Sequence, residues 1–441
     1  MVTILDLPYD VLREIFSRLS AADVLHFLCI SRKLYYALID DDSTWYIFCA
    51  RYGITDTSAW RRRSFRTIYG RLLHRYGPLL GLWCSDYPCH GNIIEFRIVP
   101  DNWLRRGEPI IIGELWEFAT NKAKAPRPYQ PTYTEFMQIG FIPWKKSTPA
   151  TANDVQISWH LRSERDLGFL VHNGLPPPWV RMDGDGRLAT PSLKVIAPTS
   201  LTVELESQYS QRLVQPEMLA SAPWYDPDRG VPRLPQEREP LVLEQARYSW
   251  GSYYSPPITY VHGAQKPASI AFLPPPQRQE SDVRIPLHNP RLPLTRDFSD
   301  LIPCYFPLRY PVHEGDDPAS PDWRPESLVG LWLGDYGPHG TECLYLEHNA
   351  DESALRAWKI IGDVHVPRGA CSWDADLRVP LPDLAPRRAY GGLGTLAQRG
   401  FTFTEKRPVR VIISDRDEII VSWDLSYDTK FIRYRQTRQR I

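Results

Sequence analysis

Apolar positions between residues 5 and 50 recur at the three- and four-residue spacing of amphipathic helices. In the first helix Leu12, Ile15 and Leu19 share one face, and Pro8 suits the first helical turn. Further apolar stripes predict three more short helices. A unit this small buries little surface alone, so its wide leucine-rich stripes indicate that another polypeptide covers part of them, although a self-sufficient bundle is the alternative.

Polar residues mark where these helices begin. Ser20 with Asp23 three residues later matches a capping box at the start of the second helix, and Asp42 is the expected cap of the fourth. A further amphipathic pattern from Trp60 to Tyr76 predicts a linker helix. We therefore divide this part of the chain into a helical unit, residues 1–52, and a linker, residues 53–78.

Beyond residue 78 the pattern changes to the alternation of β-strands, and one motif occurs twice. Segments 81–91 and 330–340 share Gly-Leu-Trp, Asp-Tyr and His-Gly at matching positions, and each runs into an apolar stretch. Glycine and proline at their centres favour tight turns, so each copy predicts a β-hairpin. We predict an internal repeat, residues 81–99 and 330–348, whose two hairpins close one sheet or barrel.

The region between the two copies is rich in proline. Most of the chain's 42 prolines lie within residues 121–325, a density that excludes long helices and central strands. Alternating pieces at 155–159, 201–205 and 269–273 predict short edge strands joined by long loops. The predicted fold class is therefore α+β, with a small all-α N-terminal unit and a large, β-rich, barrel-like domain, residues 79–441, that carries proline-rich loops.

Composition narrows the functional classes. The formal net charge is zero, and the only dense basic run, residues 61–75, is typical of a solvated helix face, so nucleic acid is not an expected partner. Seven cysteines without a Cys-x-x-Cys pair indicate reduced thiols rather than a disulfide scaffold or a zinc site. Without a signal sequence or a membrane-spanning apolar run, the expected location is the cytoplasm, the nucleus or both.

Motifs for catalysis are missing from the sequence. It has no nucleophile elbow, phosphate-binding loop, zinc-protease motif or dinucleotide fingerprint, so we predict a non-catalytic protein without cofactor or metal. Trp332, Tyr336 and His339 of the second hairpin could instead form an aromatic-walled cleft for a peptide segment. Asp363 either caps its own turn or faces this cleft and accepts hydrogen bonds from an amide or cationic group.

The N-terminal pattern resembles a known family. Residues 5–20, followed by Asp23-Val24-Leu25, Cys29, Ser31-Arg32, Leu34-Tyr35 and Trp45, are similar to an F-box. The resemblance implies a helical adaptor that binds Skp1 and through it the cullin and RING subunits of a ubiquitin ligase. It also implies a set of residues that face or support Skp1: Leu7, Pro8, Leu12, Ile15, Leu25, Leu28 and Leu34.

Four later blocks, residues 79–83, 330–340, 359–369 and 394–401, resemble the F-box only protein 31 family in the same order. This implies a substrate receptor whose barrel-like domain receives a peptide degron, for example a C-terminal tail, with Trp332, Tyr336, His339 and Asp363 in contact with it. The bound protein would be ubiquitinated and degraded by the proteasome. The proline-rich middle departs from relatives that carry a Cys/His-rich segment there. The alternative is a small-ligand or glycan-binding β protein that acts outside a ligase.

Overall fold

The computed structural model describes most of the helical unit and the strands of two β-sheets. The described residues are 7–61, 63–85, 92–99, 108–118, 131–142, 153–159, 192–196, 241–242, 269–273, 304–308, 316–335, 340–363, 365–366, 370–382, 388–398, 402–424 and 427–434. The N-terminal helices are α1 (Tyr9–Arg18), α2 (Ala21–Cys29), α3 (Arg32–Leu38) and α4 (Asp42–Ala50). They are followed by a 3₁₀ turn (Ser58–Trp60) and a second helical run. This run consists of α5 (Phe65–Thr67), a π-helical segment (Ile68–Leu73), α6 (His74–Tyr76) and a 3₁₀ turn (Gly77–Leu79).

The strands divide at residue 325. Before it lie β1 (Gly81–Ser85), β2 (Ile93–Val99), β3 (Ile110–Glu117), β4 (Thr132–Phe141), β5 (Val155–Trp159), β6 (Ser192–Ile196), β7 (Leu241–Val242), β8 (Ser269–Leu273) and β9 (Cys304–Pro307). After a 3₁₀ turn (Pro325–Leu328) come β10 (Gly330–Asp335), β11 (Thr341–Asn349), β12 (Ala354–Lys359), β13 (Cys371–Pro380), β14 (Arg388–Gln398), β15 (Thr402–Asp415), β16 (Glu418–Trp423) and β17 (Tyr427–Arg433). The α+β fold class predicted from the sequence is confirmed.

Helix caps largely follow the sequence signals. The predicted capping box is present, because the Asp23 N–H donates to Ser20 Oγ at 3.1 Å and the Ser20 N–H donates to Asp23 Oδ2 at 3.3 Å. The fourth helix is capped by Asp41, which accepts the Thr44 N–H at 2.9 Å, so the prediction of Asp42 was wrong by one residue. Among the described residues, no helix combines the length and apolarity needed to span a membrane.

The helical unit and the first sheet share one hydrophobic core. Phe48 of α4, Tyr69 of the π-helical segment and Trp83 of β1 all belong to the same buried cluster, and the Phe48 and Tyr69 rings lie 5.2 Å apart. The helical run that was predicted as a linker is therefore packed between the first four helices and the sheet. Because apolar contact is continuous across the three layers, this part of the protein is a single packed unit.

The two repeated hairpins lie in different sheets. The first sheet has the strand order β5-β4-β3-β2-β1-β9-β8-β6-β7, and the second is a closed barrel that runs from β10 to β17. The prediction that both hairpins close a single sheet or barrel was therefore wrong. The prediction of edge strands also fails for β8, which is paired on both sides, with β9 and β6. Segment 201–205 lies outside the described residues.

The two repeated segments nevertheless share the same backbone and side-chain geometry. Gly81 and Gly330 have positive φ angles of 112° and 136°, and a 3₁₀ turn precedes each of them. The indole N–H of Trp83 donates to the Leu79 carbonyl at 2.7 Å, and that of Trp332 donates to the carbonyl four residues before it at 2.9 Å. In both sheets the first strand also pairs with the last strand, β1 with β9 and β10 with β17. The chain therefore contains two copies of one β unit.

Alternation along the repeated strand assigns its residues to different cores. Trp83 packs with the helices, whereas Trp332 packs inside the barrel. The intervening positions turn the other way, so Leu82 of β1 and both Leu331 and Leu333 of β10 meet in a third buried cluster. The two hairpins thus pack face to face, and the first sheet and the barrel are held together through them.

One end of the barrel is filled by a buried arginine. The Arg433 guanidinium lies 4.6 Å from the centre of the Trp332 ring and donates to the Ser327 carbonyl at 2.5 Å. It also pairs with Asp417 at 3.2 Å. Since these partners occupy the donor groups of Arg433, this end of the barrel is packed shut.

Close packing inside the barrel gives a test of the fold. A Cβ atom at Gly334 would lie 2.1 Å from the Phe431 ring, whereas one at Gly391 of the same barrel would meet nothing within 4 Å. We expect Gly334→Ala to lower the free energy of unfolding by about 1–3 kcal/mol, because the aromatic ring must move. The matched control Gly391→Ala should stay within about 0.5 kcal/mol of wild type. Equal urea midpoints for the two variants would contradict this barrel packing.

Candidate functional site at the mouth of the barrel

Four connections meet at the end of the barrel opposite Arg433. Because consecutive strands are antiparallel, the links β10–β11, β12–β13, β14–β15 and β16–β17 all lie at this end. We call this end the mouth. The link from Asp335 to Thr341 is the tip of the second repeated hairpin, so the topology brings it to the same end as the link that contains Asp363. The sequence identified candidate residues on these two links, but it could not show that the fold brings the links to the same end of the barrel.

A buried ion cluster lies just inside the mouth. Lys359, which ends β12, places its Nζ atom 2.8 Å from Glu342 Oε1 and also pairs with Asp363. Only 2% of the Lys359 and Glu342 side chains is exposed, against 17% for Asp363. On the same strand Leu355 and Ala357 face the barrel core, so Lys359 continues an inward-facing row. The cluster forms the polar layer above the apolar core.

The charges of the cluster stabilise one another. Burial disfavours the ammonium form of Lys359, but the Glu342 and Asp363 carboxylates outweigh it and raise the pKa of the lysine. Burial also acts against the Asp363 carboxylate, yet Lys359 and two backbone N–H groups hold the pKa of Asp363 below its ordinary value. Two carboxylates thus face one ammonium, and the cluster carries a net negative charge.

Asp363 also organises its own turn. Its Oδ1 atom accepts the N–H groups of His365 at 2.6 Å and Val366 at 2.8 Å, while Oδ2 faces Lys359. In this structure Asp363 therefore caps the turn, one of the two roles that the sequence allowed. Contact between Asp363 and a ligand stays a prediction, for which the exposed part of the carboxylate provides access.

Glu342 is the residue that the sequence analysis missed. Its Oε1 atom accepts the Ser372 hydroxyl at 3.1 Å as well as facing Lys359, but its buried Oε2 atom has no hydrogen-bond partner among the described residues. A buried carboxylate oxygen without a donor is costly, and this oxygen retains the capacity to accept one more hydrogen bond. The available signal was a lone acidic residue at the start of an apolar strand.

The other residues predicted to bind cargo are Trp332, Tyr336 and His339. Trp332 is fully buried in the barrel core, with its indole N–H bonded to the Leu328 carbonyl and its ring against Arg433, on the side away from the mouth. Tyr336 and His339 lie outside the described residues, on the link between β10 and β11. Substrate contact by these three residues stays a prediction.

The helical unit presents a second surface. Of the residues predicted to face or support a partner, Leu12, Leu28 and Leu34 are buried, Pro8 is exposed, and the others are partly buried: Leu7, Ile15 and Leu25. Large apolar side chains outside the predicted set also protrude from this unit, with Ile30 at 75% exposure, Tyr36 at 77% and Val11 at 43%. They sit at the end of α2, on α3 and on α1, off the stripes that pack inside the unit, which is why periodicity did not select them.

Two family models match this chain, one on the helices and one on the barrel. The family model described as F-box domain matches residues 4–46, which contain α1 to α3 and the start of α4. The N-terminal helices are an F-box domain. A second family model, described as Cyclin D1 binding domain, matches residues 314–439 and thereby spans every strand of the barrel.

Curated relatives agree with this assignment. F-box only protein 31 of Homo sapiens is 36% identical over 80 residues, which are 17% of this chain and 14% of the relative. A putative F-box protein of Arabidopsis thaliana is 27% identical over 124 residues, 24% of this chain and 22% of the relative. F-box only protein 31 of Rattus norvegicus is 29% identical over 97 residues, 21% and 19% of the two chains. The matched segments thus span less than a quarter of each of these F-box relatives.

The ion cluster should dominate the stability of the mouth. Lys359→Met would leave two buried carboxylates without their cation, and we expect a loss of about 3–5 kcal/mol in the free energy of unfolding. Lys430→Met is the matched control on the same barrel, because its pair with Glu418 at 2.6 Å is 45% and 31% exposed. That change should cost at most about 1 kcal/mol.

The same cluster predicts a pH dependence. The raised pKa of Lys359 means that its contribution to stability is complete below the ordinary value of 10.5 and is lost as pH rises through the folded value. The lowered pKa of Asp363 means that its contribution is complete above 3.8 and is lost as pH falls through the folded value. Urea unfolding across pH should therefore show the largest difference between wild type and Lys359→Met between those two limits. A difference independent of pH at both ends would contradict the ion cluster.

Proposed function

We propose that this F-box protein is the non-catalytic substrate-recognition subunit of a Skp1–cullin–F-box ubiquitin ligase. One observation carries the proposal: the two family matches fall on two different structural units, the helices and the barrel, and each unit presents a surface of its own. The helices would bind Skp1, and the mouth of the barrel would bind a short peptide degron. Such a role lies in the cytoplasm or the nucleus.

Skp1 would be bound through the protruding apolar residues of the helical unit. Ile30 and Tyr36 expose three quarters of their surface, which is unusual for apolar side chains that no partner covers. Leu12, Leu28 and Leu34 would hold the backbone of α1, α2 and α3 beneath this contact. Aromatic and aliphatic anchors of this kind supply most of the binding energy in helical interfaces.

The degron would enter the barrel mouth. Glu342 and Asp363 carry more negative charge than Lys359 neutralises, so the mouth favours a peptide group that donates N–H bonds. Oε2 of Glu342 would accept such a bond at the depth of the cluster. A C-terminal tail reaches this depth more readily than a chain interior, and cyclin D1 is a candidate cargo because the family model that matches the barrel carries its name.

Ubiquitin transfer would then follow from proximity alone. A cargo held at the mouth presents its lysines to the charged E2 at a high effective concentration, so the receptor needs no reactive group. The cargo would afterwards be degraded by the proteasome.

The Skp1 contact can be tested with surface variants that leave the core intact. Ile30→Asp and Tyr36→Asp should each weaken Skp1 binding about tenfold or more, because a charge replaces an apolar anchor in a desolvated contact. Val379→Asp is the matched control, since Val379 is 67% exposed on the barrel. The measurement is co-purification and titration with Skp1. If both helical variants bind Skp1 as wild type does, this contact surface is refuted, and if wild type does not bind Skp1 at all, the adaptor role is refuted.

The cargo contact can be tested with arrays of peptide termini and of glycans. We expect wild type to bind terminal peptides, and Glu342→Gln to weaken that binding about tenfold, because a neutral amide replaces a charge-assisted acceptor. Glu418→Gln, on the outer part of the barrel, should leave it unchanged. Binding to glycans alone would favour instead a small-ligand or glycan-binding protein that acts outside a ligase.

A further inference from the structure

A half-exposed aromatic ring stands at the mouth, on the second strand from the one that carries Glu342. Tyr427 begins β17 directly opposite Trp423, and their rings stack with centroids 6.0 Å apart and planes 9° from parallel. Trp423 belongs to the barrel core, so the stacking places the Tyr427 ring on the lumen side of the wall. Yet 48% of Tyr427 is exposed, which leaves much of this lumen-side residue uncovered.

The ring is held in place before any ligand arrives. Its stacking partner Trp423 is only 3% exposed and is fixed by the core. The short link between the two residues carries Asp424, which pairs with Arg407 of β15 at 3.4 Å. When a ligand covers Tyr427, the tyrosine side chain therefore loses little conformational entropy, which favours specific contact.

Electrostatics connects this ring to the ion cluster. Burial raises the pKa of Tyr427, and the Glu342 and Asp424 carboxylates raise it further, so the phenol remains neutral at physiological pH. Strand β10 links the two residues, because its Gly334 pairs with Glu342 of β11 and with Phe431 of β17, which lies four residues after Tyr427 on the same inward-facing row. The mouth has two unlike walls, an aromatic one formed by Tyr427 over Trp423 and an acidic one formed by Glu342 and Asp363.

We propose that Tyr427 is the specificity-determining residue of the mouth and selects cargo peptides with a large apolar side chain, preferably aromatic, beside the N–H group that binds Glu342. This inference rests on the proposed function and names the class of peptide that the mouth takes. An acidic side chain would be repelled by the carboxylates of the opposite wall. A small side chain would leave the ring uncovered, whereas an aromatic side chain would stack on it.

The test uses labelled eight-residue peptides that end in Gly-Ser-X with a C-terminal amide, where X is Phe, Ala or Asp, titrated into the full chain by fluorescence anisotropy. We expect wild type to bind the Phe peptide about tenfold more tightly than the Ala peptide, and the Asp peptide most weakly. Tyr427→Phe should keep this ranking. Tyr427→Ala should bring the Phe and Ala peptides to within about twofold of each other, and Tyr133→Ala, which removes a 46% exposed ring from the first sheet, should change nothing.

The outcomes separate this inference from the function on which it rests. If Tyr427→Ala has the thermal unfolding midpoint of wild type and still prefers Phe tenfold, the selecting role of Tyr427 is refuted while the receptor role stands. If wild type binds none of the three peptides, both are refuted. Loss of the preference in Tyr427→Phe as well as in Tyr427→Ala would also refute it, because the phenol rather than the ring face would then be responsible.

Discussion

The packing of the two Gly-Leu-Trp strands against each other is the contact on which the rest of the structure depends. A β-strand sends successive side chains to opposite faces, so Trp83 and Trp332 anchor two separate cores while the leucines beside them build a third core between the sheets. A shift of either strand by one residue would exchange these faces and place an indole where two sheets meet. The register is therefore fixed by the tryptophans, whose indole N–H groups each find a carbonyl four residues earlier.

The duplication supplies an internal comparison for the mouth. When the two hairpins are aligned by their strand registers, Asn92 of the first sheet corresponds to Glu342 of the barrel. Leu115 of the first sheet corresponds to Lys359. The first copy thus has an amide and an aliphatic side chain at the two positions that form the buried ion pair of the second. A buried ion pair adds little net stability over apolar residues of the same size. The β unit therefore does not require this ion pair in order to fold, and its presence in the second copy alone agrees with the binding role proposed for the mouth.

The sequence predicted what depends on local pattern. Periodicity found the helices, and the capping box at Ser20 was correct because it is read from neighbouring residues alone. The repeat and its hairpins followed from matching residues, but their division between two sheets did not, since strand partners such as β1 and β9 lie more than 200 residues apart. Only the closure of the barrel brings Glu342, Lys359 and Tyr427 together.

Continuity of the cores also bears on how a receptor of this architecture would work. The helices that carry Ile30 and Tyr36 share a core with the first sheet, and that sheet meets the barrel through the leucine faces of the two hairpins. Any motion of the mouth relative to the helical surface must therefore open one of two apolar interfaces rather than bend a loop. The distance between the two surfaces is set by packing. A cargo bound at the mouth would accordingly be presented at a defined position, and the lysines within reach of an E2 would be selected by where they stand relative to the bound peptide.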